Sequence, residues 1–251
     1  MKIRRQIFRP IIFALLACFL LSAKCGLAAD SAPEGRLPLS EVVQRLTDRN
    51  AARAAALASY KSRRTYQLEY TGFPHNMHAE LIVDLNYSAP DTEEYKVISE
   101  TGPKWMVNLV LKRLLETEKE SIENKNRAAV QITSENYDFT MAESQPSADG
   151  CSYVLNAEPK SPTKFLFRGR VWVDDRDFAV CKIEAEPAKN PSFWIKKTEI
   201  HHAFSKVGDF WLPAENTSVS RVRFDGRATL TIKYGAYEVQ QVRAAILHAT
   251  D

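Results

Sequence analysis

The sequence predicts an α+β fold that is mainly antiparallel β, with about ten strands and two helices. Three observations carry this expectation. From Tyr137 onward the patterned segments all read as strands, with apolar and polar residues alternating. Short turn sequences rich in Pro, Asp and Gly separate them, and connections of that length join antiparallel neighbours. Only two stretches, both in the N-terminal half, carry the helical period instead.

The chain opens with Lys2, Arg4, Arg5 and Arg9, then the apolar run from Ile11 to Leu21, then small residues through Ala28 and Ala29. Basic, apolar and small regions in that order make a secretory signal. The run stops short of the ~20 apolar residues a spanning helix needs. Residues 1–29 are therefore expected to be a signal peptide cleaved near Ala28 or Ala29, with residues 30–251 as one domain in the periplasm. A lipobox at Leu15–Cys18 and a twin-arginine signal at Arg4-Arg5 are the weaker alternatives. The apolar run continues past Cys18, and no cofactor motif calls for export of a folded protein.

The first helix is predicted from Leu39, with Ser40 as its cap and Val42, Val43, Leu46, Ala54 and Leu57 at helical spacing. Alternation begins at Ser62, with Tyr66, Leu68 and Tyr70 on one face, and ends at Gly72-Phe73-Pro74. The next strand places Ala79, Leu81, Val83, Leu85 and Tyr87 on one face, and Tyr95–Ser99 follows the Ser88–Asp91 turn. The period then switches, and Lys104–Glu116 reads as a helix apolar over so wide an arc that it needs a hydrophobic floor. Strands are predicted at Tyr137–Met141, Cys151–Ala157, Lys164–Val173, Phe178–Glu186, Trp194–Val207, Ala214–Phe224 and Arg227–Tyr237. Residues 144–150 are a loop. Long strands on a strongly twisted sheet tend to curl.

Loss of the signal takes Lys2, Arg4, Arg5, Arg9 and Lys24 with it, turning 34 basic and 31 acidic residues into 29 and 31. That balance offers no general electrostatic footprint for nucleic acid. Cys18 and Cys25 leave too, so Cys151 and Cys181 remain in a compartment that favours disulfides. Hairpin symmetry, however, sets both opposite Arg170 from either side. Strands two apart lie roughly 9.5 Å from each other, beyond the ~7 Å Cα limit for bridging. Two free or buried thiols are the expectation, which a bulge or slipped register would reverse.

The sequence supplies little chemistry. Glu199, His201 and His202 form a His/carboxylate cluster, but adjacent strand residues point to opposite faces and the spacing fits no metal template. They read as strand-surface histidines, and His75 and His78 as loop polar groups. There is no nucleophile elbow and no phosphate-binding glycine loop. A mid-strand Cys151 or Cys181 is a poor nucleophile. No catalytic residue, metal or cofactor is expected. What remains is a surplus of apolar residues on strands, including Phe165, Phe167, Trp172, Phe193, Trp194, Phe204, Phe210 and Trp211. They make either an ordinary core or the wall of a ligand cavity under a lid helix.

The order of elements, with Ala79–Val83, Arg113–Glu118, Phe167–Asp174, Phe193–Thr198 and Phe210–Pro213, resembles the outer-membrane lipoprotein-sorting (LolA/LolB-like) protein family from about residue 39 to 240. The resemblance implies a strongly curved, half-open β-barrel with helices plugging its concave side over a hydrophobic cavity. It implies a monomeric carrier of lipoprotein or lipid acyl chains, with membrane-bound donor and acceptor proteins as partners and no chemistry of its own. An envelope regulatory or scaffold protein that binds a protein partner is the alternative. The helix at Trp105–Leu115 is the candidate lid, with Trp105, Met106, Leu109, Val110 and Leu114 toward the ligand. Leu81, Val83 and Leu85 are the candidate floor. Arg168 and Arg170 share a face with Trp172, where they would meet a lipid carbonyl or headgroup or else form a solvated outer face with cation–π packing.

Overall fold

The computed structural model describes residues 37–142, 150–190, 195–223 and 226–242. The signal segment and its cleavage sites, the 144–149 loop, Phe193, Trp194 and Phe224 lie outside the described residues. The first element is helix α1 (Leu39–Ala56). Ser40 does not cap it. Pro38 precedes the helix in extended conformation, and its carbonyl accepts from the Glu41 and Val42 amides at 3.0 and 3.1 Å. Three strands follow: β1 (Leu57–Thr71), β2 (Met77–Ser88) and β3 (Thr92–Thr101).

The chain then turns through Gly102, whose φ of 97° belongs to the left-handed region that glycine tolerates. A Cβ there would lie 2.3 Å from the His78 carbonyl oxygen, so no other residue fits this approach to β2. Next come α2 (Lys104–Met106), a π-helical turn at Val107–Leu111, and α3 (Lys112–Ile122). The predicted lid helix is thus longer than its apolar pattern and carries a π turn in its first half. A short helix α4 (Asn124–Arg127) leads to the remaining strands. They are β4 (Tyr137–Met141), β5 (Tyr153–Pro159), β6 (Phe167–Val173), β7 (Val180–Pro187), β8 (Ile195–Val207), β9 (Phe210–Val222), β10 (Gly226–Tyr234) and β11 (Glu238–Gln241).

All pairings are antiparallel, in the order β3-β2-β1-β10-β9-β8-β7-β6-β5-β4, with β11 beside β1. The strands form one curved sheet of 11 strands whose edges β3 and β4 do not meet, as an open barrel requires. Register shifts at Ile82/Val83, Trp172/Val173 and Ala203/Phe204 are the irregularities that bend long strands. From Leu37 onward the residues form one compact unit.

Two separate cores stand on the concave face. In one, Val42, Val43 and Leu46 of α1 pack on Tyr137, Tyr153, Leu155, Val171 and Val173 of β4, β5 and β6. In the other, Met106, Val107, Leu111 and Leu115 pack on Tyr66, Ala79, Leu81 and Val83 of β1 and β2. Each fully buried aliphatic side chain contributes about 1.5–3 kcal/mol. The two helical elements are therefore held at opposite ends of one sheet.

The cysteine expectation is overturned: Cys151 and Cys181 are joined by a disulfide, with Cα atoms 6.3 Å apart. Trp172 pairs Lys182 while Val173 pairs Val180, which leaves Cys181 as the extra residue of a bulge. Cys151 lies before β5 begins, opposite the end of β6, where no intervening strand holds the two apart.

Candidate functional site

Between the two cores the concave face is not filled. A cavity of about 1080 Å³ lies under α3 and over β1, β6, β7, β8, β9 and β10. Its apolar wall includes Leu68, Val110, Leu114, Phe165, Phe167, Ile183, Ile200 and Leu230. The register explains this lining: Leu68 pairs Leu230, Leu230 pairs Ser218, Ser218 pairs Ile200, and Ile200 pairs Ala185, one inward row across five strands.

That row also exposes a polar stripe. Asn216, Ser218 and Ser220 alternate on the inward face of β9, opposite His202, Ile200 and Thr198 of β8. The Thr198 and Ser220 hydroxyls lie 2.8 Å apart, and Ser218 donates to Asn216 Oδ1 at 3.5 Å. His202 is not a surface residue. Its ring stacks on Phe204 with centroids 4.3 Å apart, and its Nε2 is buried without a hydrogen-bond partner among the described residues. Burial, helped by the Arg64 charge, lowers its pKa to about 4, so the imidazole is neutral at pH 7. His201, its neighbour, points outward and is exposed, as alternation requires.

Beyond His202 the cavity ends at a buried ionic cluster. Arg64 of β1 reaches Glu93 of β3 at 3.1 Å and Glu118 of α3 at 2.9 Å. Tyr66 donates to Glu118 at 2.8 Å, Tyr60 to Glu93 at 3.3 Å, and Tyr95 also to Glu93. The Arg64 guanidinium lies 5.1 Å from the Tyr234 ring centroid, and its Nε has no hydrogen-bond partner among the described residues. Burial alone would depress the Arg64 charge, but Tyr60, Glu118, Tyr66 and Glu93 around it hold its pKa above the usual arginine value. Burial outweighs Arg64 at Glu118 and raises that carboxyl. The cluster fastens α3 to the first and third strands.

The sequence-predicted residues fall into three places. Val110 and Leu114 line the cavity, as does Leu109, which is 65% exposed. Leu81 and Val83 are fully buried in the packed core together with Met106, and Leu85 is buried on the same strand face. These four are not on the cavity wall. Trp105 is 50% exposed to solvent. Arg168 and Arg170 lie on the outer face. Arg168 pairs with Glu158 at 2.9 Å, Arg170 with Glu184 at 2.9 Å, and Arg170 stacks 5.1 Å over Trp172. Neither the polar stripe of β9 nor the Arg64 cluster shows as a pattern in the sequence. Only cross-strand register brings their members together. Among the described residues no group of three or more His, Cys, Asp or Glu is placed to hold a metal.

No family model matches the sequence, and no curated protein matches it. Solved structures do. A DUF1329 family protein from Desulfovibrio piger superposes with a TM-score of 0.42 at 9% identity, covering 82% of this chain and 94% of that one. A putative outer membrane lipoprotein-sorting protein domain from Vibrio parahaemolyticus gives 0.41 at 10%, covering 80% and 93%. A LolA superfamily protein from Nitrosomonas europaea gives 0.35 at 7%, covering 82% and 96%. At such identities no residue role transfers, and the functional reading rests on the cavity.

Proposed function

We propose that this protein is a periplasmic carrier that encloses the acyl chains of a lipoprotein or lipid in the cavity between α3 and the sheet. One observation carries the reading: about 1080 Å³ stands unfilled between two tightly packed cores. Apolar side chains left uncovered there forgo the roughly 25 cal/mol per Å² that burial would contribute. A chain that fills its interior on both sides has no folding reason to keep such a space.

The mechanism is exclusion of water. Each CH2 group of an acyl chain costs about 0.8 kcal/mol when exposed to water, so a lipid with several chains does not cross an aqueous gap quickly unless it is covered. Leu68, Val110, Leu114, Phe167, Ile200 and Leu230 supply the cover. No bond is made or broken. Loading and release need the helical lid to shift against the sheet, and the Arg64–Glu118 pair is where lid and sheet are tied.

A titration with a fluorescent long-chain fatty acid tests the proposal. Saturable binding is expected, and Ser218→Trp, which fills the wall, is expected to weaken it at least tenfold with little change in melting temperature. If the probe does not bind, or binds both proteins alike, the carrier reading fails.

A regulatory or scaffold role has its own support in β3, one edge of the sheet, where Val97 and Ile98 are 44% and 42% exposed. An extended segment of a partner protein could add to that edge. A protein complex broken by Val97→Pro, together with no acyl uptake, would favour that reading.

A further inference from the structure

The antiparallel register places the β1–β2 turn, the entry to α2, the end of β7 with the start of β8, and the β9–β10 connection on one rim of the sheet. The cavity reaches this rim, since Lys189, Asn190, Ile195 and Val222 line it. We propose that this rim docks on the surface of an anionic lipid bilayer and presents the cavity mouth to it. The inference rests on the carrier reading and names the membrane as the carrier's partner.

Two properties of the rim point to a bilayer. Large apolar side chains stand in solvent there: Phe73 is 83% exposed in the β1–β2 turn, and Trp105 and Leu109 are 50% and 65% exposed on the lid helix. A tryptophan with aliphatic neighbours suits the boundary between headgroups and acyl chains. The cations are the second property. Lys104, Lys189, Lys196, Arg221 and Arg227 are all exposed, and none makes an ion pair within 4 Å among the described residues, although Arg221 acts on Glu199 from further off. Arg221 and Arg227 sit directly opposite each other across β9 and β10. Like charges in that position repel and destabilise a sheet, and an anionic surface would relieve them.

The turns of the opposite rim carry Asp91, Asp174, Asp175, Asp177 and Asp209 interspersed with Arg176 and Lys206, so its charge is mixed. The exposed cations at the cavity mouth would draw that rim towards a negative surface before any contact forms. Among the described residues no helix is long and apolar enough to cross a membrane, so the contact meant is peripheral.

The test is co-sedimentation of the purified protein with phosphatidylcholine vesicles, with and without phosphatidylglycerol, run beside fatty-acid uptake in the absence of vesicles. Binding is expected only with phosphatidylglycerol, weakening with added salt. A surface lysine or arginine near such a membrane is worth about 1 kcal/mol, so each cation removed should cost about fivefold. Lys104→Ala with Lys196→Ala should therefore lower the affinity about 25-fold, and Phe73→Ser with Trp105→Ser should abolish insertion. Both double variants should keep the parent's melting temperature and its fatty-acid uptake.

Equal binding to neutral and anionic vesicles, or none to either while fatty acid is still taken up, would overturn the docking surface and leave the carrier reading standing. Phosphatidylglycerol binding without fatty-acid uptake would keep the docking surface and remove the carrier reading. Capture of a protein through the same residues, with no vesicle binding, would overturn the proposal in favour of a protein partner.

Discussion

The lid helix meets the sheet in two ways. Met106, Val107, Leu111 and Leu115 are sealed against Tyr66, Ala79, Leu81 and Val83, each buried to within a few per cent of its surface. A quarter turn away, Leu109, Val110 and Leu114 look over the cavity at a wall of mixed character. One continuous apolar arc thus serves as core on one side and as cover on the other. The difference lies in what the facing strands present: β1 and β2 offer Tyr66, Leu68, Ala79, Leu81 and Val83, whereas β9 offers Asn216, Ser218 and Ser220. Small polar residues do not fill space, so the volume opposite them stays open.

The largest expected effect is on the tie between the two halves of this contact. Arg64→Met removes the cation from between Glu93 and Glu118, leaving the two carboxylates their tyrosine donors but no counter-charge. Breaking a buried pair from one side costs about 3–5 kcal/mol. Urea unfolding should show that loss, and a cost under about 1 kcal/mol would mean the cluster does not hold the lid.

A second pair of substitutions compares core with cover. Leu81→Ala should cost about 2–5 kcal/mol, since its surroundings cannot collapse into the space left. Leu114→Ala, at the cavity, already faces space and should cost about 1 kcal/mol while weakening acyl binding. Equal costs at the two positions would erase the distinction between them.

The smallest effect is at His202. Burial brings the native imidazole down to about 4 from the ordinary 6.5, so between those pH values the unfolded chain takes up a proton that the folded protein refuses. The stability His202 contributes is present above pH 6.5 and is lost as pH falls toward 4. His202→Gln should flatten the pH dependence of the melting temperature in that window. An unchanged slope would place the histidine in water.

Much of this architecture was legible in the sequence. Ala79, Leu81, Val83 and Leu85 alternate so cleanly that their shared buried face followed directly, and turn sequences such as Gly208-Asp209 marked the meander. Alternation cannot say whether a buried face meets a helix or a void, and so Leu81 and Val83 were expected to meet ligand but lie in the packed core. The inward face of β9 was invisible for the opposite reason: Asn216, Ser218 and Ser220 look like a solvated face until Leu230 and Ile200 are placed beside them. The disulfide was missed because one bulge residue, Cys181, shifts a register that hairpin symmetry assumes to be regular. Arg64, Glu93 and Glu118 come from three separate elements, and no local pattern unites them.

The central claim is that the space beneath the lid holds acyl chains, and native mass spectrometry of the protein purified from its own host tests it most directly. The account predicts a bound species of lipid mass, extractable into organic solvent and lost in Ser218→Trp. A protein that carries no lipid and takes up no acylated peptide when one is supplied would contradict it.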